Sequence, residues 1–311
     1  MKAWRYIADH EPIRLDEVEE PVAGRGEVVL DVRGAGICHT DVGHLDGTIS
    51  HFLGFRPITL GHEVAGVVRE IGDGVTDFAV GDRVAVRSIV AGPGTGRDGG
   101  FQPRVAVQTE VLVPVPAEVS WDQAATSTDA GMTSYHAVMT RAGAKSGDKI
   151  GIIGFGGLGS LGMQIALLAG AQVYVAETKL SLHQHILDAG AEAVSTTIAT
   201  FEDQALDAII DFAGFGTTTA SAVEAVKPGG RVVQVGLAER YGMLDLIRLT
   251  MSEVDLLGSQ GGTNAGNAEV LKLMASGRLK AVTECIRFED VGVAIERLRR
   301  GENTGRLVVI Y

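Results

Sequence analysis

Residues 150–176 carry no charged side chain, and glycines punctuate them at Gly154, Gly156, Gly157 and Gly159. The stretch is longer than the ~20 apolar residues that a bilayer crossing needs, but its internal order points elsewhere. It reads as a strand (KIGIIGF), a glycine turn, a helix (LGMQIALLAGA) and a second strand (QVYVA). A central parallel strand and the helix that covers it are apolar on nearly all sides, so the lack of charge requires no lipid. Further apolar strands alternate with helical patterns up to residue 258: EAVS, DAIIDFA, RVVQVG and VDLLGS. That rhythm predicts a doubly wound parallel sheet.

The turn itself has the form Gly-x-Gly-x-x-Gly between a strand and a helix, the context a dinucleotide fingerprint requires. Gly154 permits the tight turn, Gly156 lets backbone N–H groups approach a pyrophosphate, and Gly159 lets helix and strand pack closely. Gly157 and Leu158 open the helix, whose positive end attracts the phosphates. Glu177 ends the next strand, where a carboxylate can accept hydrogen bonds from the adenine-ribose hydroxyls and would repel a 2′-phosphate. NAD is therefore expected over NADP, with Lys179 and Ser181 as a partial offset. The alternative is a glycine-rich packing turn in some other α/β protein.

Before residue 115 the pattern differs: short Val-rich runs (EVVLDV, HEVAGVVREIG, DRVAVR, VLVPVP) stand between Gly and Pro, as in an irregular β domain. AGPGTGRDGG at 91–100 has the composition of a flexible loop. After residue 258 come a helix ending at Gly277, a second helical pattern and a closing strand GRLVVIY, which is expected to rejoin the first domain. The domains are thus expected at 1–130 with 262–311, and at 131–261.

Composition narrows the function. Asp plus Glu number 39 against 27 Lys plus Arg, a net charge of −12, which repels phosphate backbones and anionic headgroups. Nucleic-acid and membrane partners are not expected. The two cysteines, Cys38 and Cys285, allow at most one bridge, and Arg5, Asp9, Glu11 and Arg14 interrupt any apolar run at the N-terminus. The expectation is a cytoplasmic protein without a signal peptide.

Three residues of metal-ligand type stand in separate motifs: Cys38 in GAGICHTDVG, His62 in LGHEVAG and Asp129 in STDAGMTSY. Individually each has an ordinary reading, a small buried thiol or a satisfied histidine, and Asp129 could instead cap a helix beginning near Gly131. Taken in order, the motifs resemble the zinc-dependent medium-chain alcohol dehydrogenase family across nearly the whole chain. The resemblance covers Cys38, Thr40 and Asp41, the Gly-His-Glu element at 61–63, Gly-Asp-Arg-Val at 81–84, the glycine fingerprint and the terminal GRLVV strand.

The resemblance implies a GroES-like β-rich catalytic domain and a Rossmann domain. It implies one zinc on Cys38, His62 and Asp129, with Glu63 as an occasional or exchanging ligand. Asp41 would support a ligating histidine, fixing its tautomer. Many members carry Cys where this chain has Asp129, but a carboxylate is an acceptable zinc ligand. The four-cysteine structural zinc lobe of the family is absent, replaced by the loop 87–100. The implied chemistry is reversible hydride transfer between an alcohol, or its aldehyde or ketone, and NAD(H), with zinc as Lewis acid.

Thr40 would relay the substrate proton, its ordinary reading being a capping hydroxyl. The family's relay histidine is replaced here by Gly43, leaving His44, His39 or solvent to complete the path. His39 and Arg306 would lie near the pyrophosphate, and the segment 49–55, with His51 and Phe52, is expected to line the substrate pocket. The resemblance also implies a homodimer or homotetramer. The rival readings are a zinc-free quinone or enoyl reductase of the same fold and a non-enzymatic NAD-binding redox sensor.

Overall fold

The computed structural model describes residues 1–303 and 305–311. They divide into two compact units, Met1–Met132 with Thr263–Tyr311, and Thr133–Gly262.

The second unit is built on a six-stranded sheet in which every pairing is parallel. Its order is Ala193–Ser195, Gln172–Ala176, Lys149–Ile153, Leu206–Asp211, Val226–Gln234 and Asp255–Gly258. Ile150, Ile152, Val173, Val175 and Ile209 are buried, so alternate residues on both faces are apolar, as the charge-free sequence requires. The strand order reverses direction at Lys149–Ile153, and the crevice beyond the carboxyl end of that strand is where open α/β sheets bind ligands. The Gly154 turn sits there.

The first unit holds a seven-stranded sheet ordered Thr283–Arg287, Arg306–Ile310, Glu27–Ile37, Glu63–Ile71, Arg83–Val86 and Leu112–Pro114, with Arg104–Gln108 also paired to Glu27–Ile37. The long strand Glu27–Ile37 shifts register twice against Glu63–Ile71, between Val29 and Leu30 and between Val32 and Gly34. Such bulges bend a strand and re-aim its side chains. Val28, Leu30, Val32, Ile37, Val64, Val84, Leu307 and Val309 form the core beneath. The mixed architecture is the α/β class expected from sequence. Among the described residues no helix is long and apolar enough to cross a membrane.

The segment 91–100 departs from its composition. Gly92, Pro93, Gly94 and Thr95 are buried, and the turn is closed by Gly94 N–H to Arg97 O (2.8 Å) and Gly96 N–H to Gly92 O (2.9 Å). Its glycines serve close packing: a Cβ on Gly94 would lie 2.7 Å from the His62 nitrogen, and one on Gly99 2.5 Å from Gly61 O. The expected flexible loop is instead a packed platform under the backbone of His62.

Candidate functional site

Four donor side chains converge in the first unit. Cys38 follows the long strand and is the N-cap of the helix His39–Leu45. His62 and Glu63 come from the start of the strand Glu63–Ile71. Asp129 lies on a wide π turn, Ser127–Gly131, in a helix already running from Trp121. Thr126, Ser127 and Thr128 hydroxyls bond back to the carbonyls of Asp122, Ala124 and Ala125 at 2.7–2.8 Å, the pattern by which Ser and Thr bend helices. Asp129 is therefore inside a helix and not the cap of one starting near Gly131, which corrects that alternative.

One ligand atom from each of Cys38, His62, Glu63 and Asp129 lies within 4.8 Å of the other three. Asp129 Oδ2 is 3.7 Å from Cys38 Sγ and 3.6 Å from His62 Nε2. A tetrahedral ion with a metal–sulfur distance of about 2.3 Å and metal–oxygen distance of about 2.0 Å would separate such donors by about 3.5 Å. Glu63 Oε2 is buried without a hydrogen bond. Orphaned donors of this kind need a partner, and a sulfur, nitrogen and oxygen set suits zinc. The residues fit the ion.

The neighbours orient this set. Asp41 Oδ2 accepts the Cys38 N–H at 2.9 Å, while its Oδ1 faces His62 Nδ1 at 3.7 Å, so His62 turns Nε2 toward Cys38 and Asp129. Gly36 stands across from Glu63, and a Cβ there would lie 1.9 Å from Glu63 Oε2: only glycine leaves room for the carboxylate. Arg306, buried in the closing strand, places Nη2 3.0 Å from Glu63 Oε1 and 3.9 Å from Asp129 Oδ2. Arg306 thus lies beside the donor cluster, a position that sequence alone did not indicate.

Electrostatics follow from burial and these contacts. Burial opposes ionisation of the Cys38 thiol, but Arg306 and His62 overcome it and hold the thiol below its ordinary value. Burial also raises Asp129, yet His62 and Arg306 pull it well below the usual carboxylate range. Burial lowers His62, and the hydrogen bonds of Asp129, Asp41 and Cys38 more than reverse it. Glu63 is pushed well up by burial, with Arg306 in opposition.

Thr40 is half-buried, its Oγ1 3.6 Å from Cys38 Sγ. His39 is exposed. His44 is buried and lowered to about 4 by desolvation, so its ring is neutral at physiological pH. The space beside Gly43 is filled by Ile49, whose Cγ1 would lie 3.1 Å from a Cβ at that position. His51 and Phe52 are exposed, with ring centroids 4.2 Å apart.

In the second unit Gly154 has φ 85°, a conformation open to glycine. The helix Gly157–Leu168 starts directly after the turn, with the Leu158 carbonyl accepting from the Ser134 hydroxyl at 2.8 Å. A Cβ on Gly159 would lie 1.8 Å from Gly154 O, whereas one on Gly156 would meet nothing within 4 Å. The first glycine of that pair serves the fold, and the second leaves open space of the kind a pyrophosphate needs. Glu177 is nearly buried; Oε2 accepts the Phe155 N–H and Oε1 the Lys179 N–H, both at 2.8 Å. Oε1 also accepts from the Thr178 hydroxyl at 3.4 Å, whereas Oε2 retains a second lone pair for a ribose hydroxyl.

Sequence reading missed Asp211. Its carboxylate accepts from Ala213 and Gly214 N–H and from the Thr218 and Thr219 hydroxyls at 2.7–3.0 Å, fixing the loop that borders Gly154. An Asp at the end of an apolar strand, followed by Phe212 and then the small Ala213 and Gly214, was the available signal.

Comparison with known proteins matches residues 24–117 to the alcohol dehydrogenase GroES-like domain and residues 157–276 to the zinc-binding dehydrogenase family. An alcohol dehydrogenase of Geobacillus stearothermophilus is 29% identical over 333 residues, covering 96% of each chain. Acetophenone reductase from Geotrichum candidum, solved in complex with NAD, is 31% identical with a TM-score of 0.91, the match covering 100% of this chain and 97% of that one. A cobalt- and zinc-bound alcohol dehydrogenase from Pyrobaculum aerophilum is 28% identical, with a TM-score of 0.86 and 99% of both chains covered.

Proposed function

The chain belongs to the zinc-type medium-chain dehydrogenase/reductase family, and on that premise we propose that it is an NAD-dependent oxidoreductase interconverting an alcohol and its aldehyde or ketone. The observation that carries the reading is the buried convergence of Cys38, His62, Glu63 and Asp129. Cys38, His62 and Asp129 would hold one zinc per chain, with Glu63, already paired to Arg306, as the least available donor. When bound, zinc supplies Lewis acidity toward the substrate oxygen, and the nicotinamide supplies the hydride acceptor or donor.

The chain's own residues orient and move the proton. Asp41 fixes the direction of His62, as a carboxylate behind a ligating histidine does. Thr40 Oγ1, a donor and an acceptor at once, receives the substrate proton beside Cys38. Ile49 fills the space beside Gly43 and burial disfavours the protonated form of His44, so exposed His39 and solvent are the better-placed outlet. The zinc-free reductase reading leaves the four convergent donors without a role.

Glu177 supports NAD over NADP. With Glu177→Ala we expect kcat/KM for NAD to fall at least about tenfold, ~1.4 kcal/mol, and the gap to NADP to narrow. NADP should gain little, because the Phe155 and Lys179 N–H groups lose their acceptor in either case. Kinetics with both cofactors give the answer; a wild type preferring NADP by more than about tenfold would refute the assignment.

The reading includes a cytoplasmic homo-oligomer. Both cysteines are unpaired, as suits a reducing compartment. Asp255–Gly258 is an edge strand, and Met243, Ile247 and Met251 nearby are more than three-quarters exposed. An open edge beside exposed apolar side chains suits pairing with a second copy. Light scattering should give a dimer or tetramer mass; a monomer at micromolar concentration would count against it.

A further inference from the structure

A second concentrated set of polar contacts in the first unit surrounds Asp9. Tyr6 ends the strand Lys2–Tyr6 with its ring fully buried, and its hydroxyl donates to Asp9 Oδ1. The Ser50 hydroxyl bonds the same carboxylate, and Arg56 Nη2 pairs with it at 3.6 Å. The Arg56 guanidinium stands 5.2 Å from the centroid of the Tyr6 ring, and its Nη2 also reaches Ser50 O at 3.4 Å. Both ends of the segment 50–56 are therefore tied to one carboxylate. Between the ties the segment presents Phe52 and Phe55, 49% and 44% exposed.

This segment borders the donor cluster by two routes. Ile49 packs on Gly43 of the helix capped by Cys38, with Ile49 N–H donating to Gly43 O at 3.2 Å. Gly54 N–H donates to Thr95 O at 2.9 Å, in the packed platform beneath the His62 backbone. Two exposed phenylalanines on a pinned segment beside a polar site suit the apolar part of a ligand, since pockets combine apolar walls with a few placed polar groups.

We infer that Asp9 is a positioning residue for substrate selection: by tying Ser50 and Arg56 together it fixes the segment carrying Phe52 and Phe55, and so sets the preference for alcohols with a large apolar substituent. The inference rests on the dehydrogenase reading. It is tested with zinc-loaded full-length wild type, Asp9→Asn and Asp9→Ala, using ethanol and 1-phenylethanol with NAD. For Asp9→Ala, kcat/KM for 1-phenylethanol falls about tenfold or more, chiefly through KM, a size typical of a changed apolar contact. Ethanol changes by less than about threefold. Asp9→Asn, which keeps an acceptor for Tyr6 and Ser50 but not the charge facing Arg56, falls between.

Amide hydrogen exchange without substrate or cofactor supplies the second readout: residues 49–56 lose protection in Asp9→Ala while the strand Glu63–Ile71 keeps its own. If Asp9→Ala folds poorly, Ser50→Ala removes one tie and shifts both readouts in the same direction. An active wild type with unaltered size selectivity in these variants, or unchanged exchange over 49–56, overturns the inference alone. Equal losses for both alcohols assign Asp9 a purely structural role and also overturn it. A zinc-loaded wild type inactive toward every alcohol and carbonyl tried overturns the dehydrogenase reading itself.

Discussion

Asp129→Asn is expected to lose zinc and turnover together, by at least about 100-fold in metal affinity, whereas Asp129→Cys retains the metal with an altered rate. Wild type should carry one zinc per chain by metal analysis after dialysis. The amide keeps the size of the side chain but not the charge that faces Cys38, His62 and Arg306. Because Asp129 lies within a helix, loss of a cap contributes nothing, and any fall in stability comes through the site. Chelation should therefore lower the melting temperature of wild type more than that of Asp129→Asn, since binding to the native state alone stabilises it. Full zinc occupancy with near-normal turnover in Asp129→Asn would remove Asp129 from the ligand set and transfer its place to Glu63.

Gly159→Ala and Gly156→Ala should fail in different ways. At Gly159 the added methyl meets Gly154 O at 1.8 Å, so helix and turn must separate. The cost expected for such overpacking is about 3 kcal/mol, a fall of about 6–12 °C in Tm, with NAD affinity lost as the turn moves. At Gly156 the methyl meets no protein atom within 4 Å, so Tm should change by less than about 2 °C. NAD should still bind about tenfold or more weakly, because the methyl occupies the space a pyrophosphate approaches. Differential scanning calorimetry and NAD titration on both variants separate the outcomes; unimpaired NAD binding in Gly156→Ala would show that the pyrophosphate does not lie against that residue.

The cofactor unit was legible because its constraints are local. A Gly-rich turn between an apolar strand and helix has few other uses, and its tightest contact, Gly159 against Gly154 O, spans only five residues. The donor cluster was not legible from spacing: Cys38 and Asp129 are 91 positions apart and meet only through the sheet and the π turn. Their grouping came from the resemblance of motifs. Arg306 escaped a structural reading because its place beside Glu63 depends on which strand the closing segment pairs with. The segment 91–100 misled because glycine satisfies two opposite demands, freedom in a loose loop and absence of bulk in a tight one. Close neighbours such as Gly61 and His62 distinguish them. The ties from Asp9 to Ser50 and Arg56 leave no periodic trace at all.

The pairing of Arg306–Ile310 with Glu27–Ile37 also orders events in time. The strand that ends beside Cys38 gains its neighbour on that side, and Glu63 its guanidinium, only after the whole segment 133–262 has been synthesised. That segment is continuous in the chain and its sheet needs no strand from outside it. Domains form largely as they emerge from the ribosome, so the nucleotide unit completes first while the earlier-made β strands wait with an unpaired edge and an unbalanced cluster of acids. A chain arrested before its closing strand would already hold all four donor residues, but it would leave that sheet edge open and Glu63 without its guanidinium, and an open edge invites misassembly.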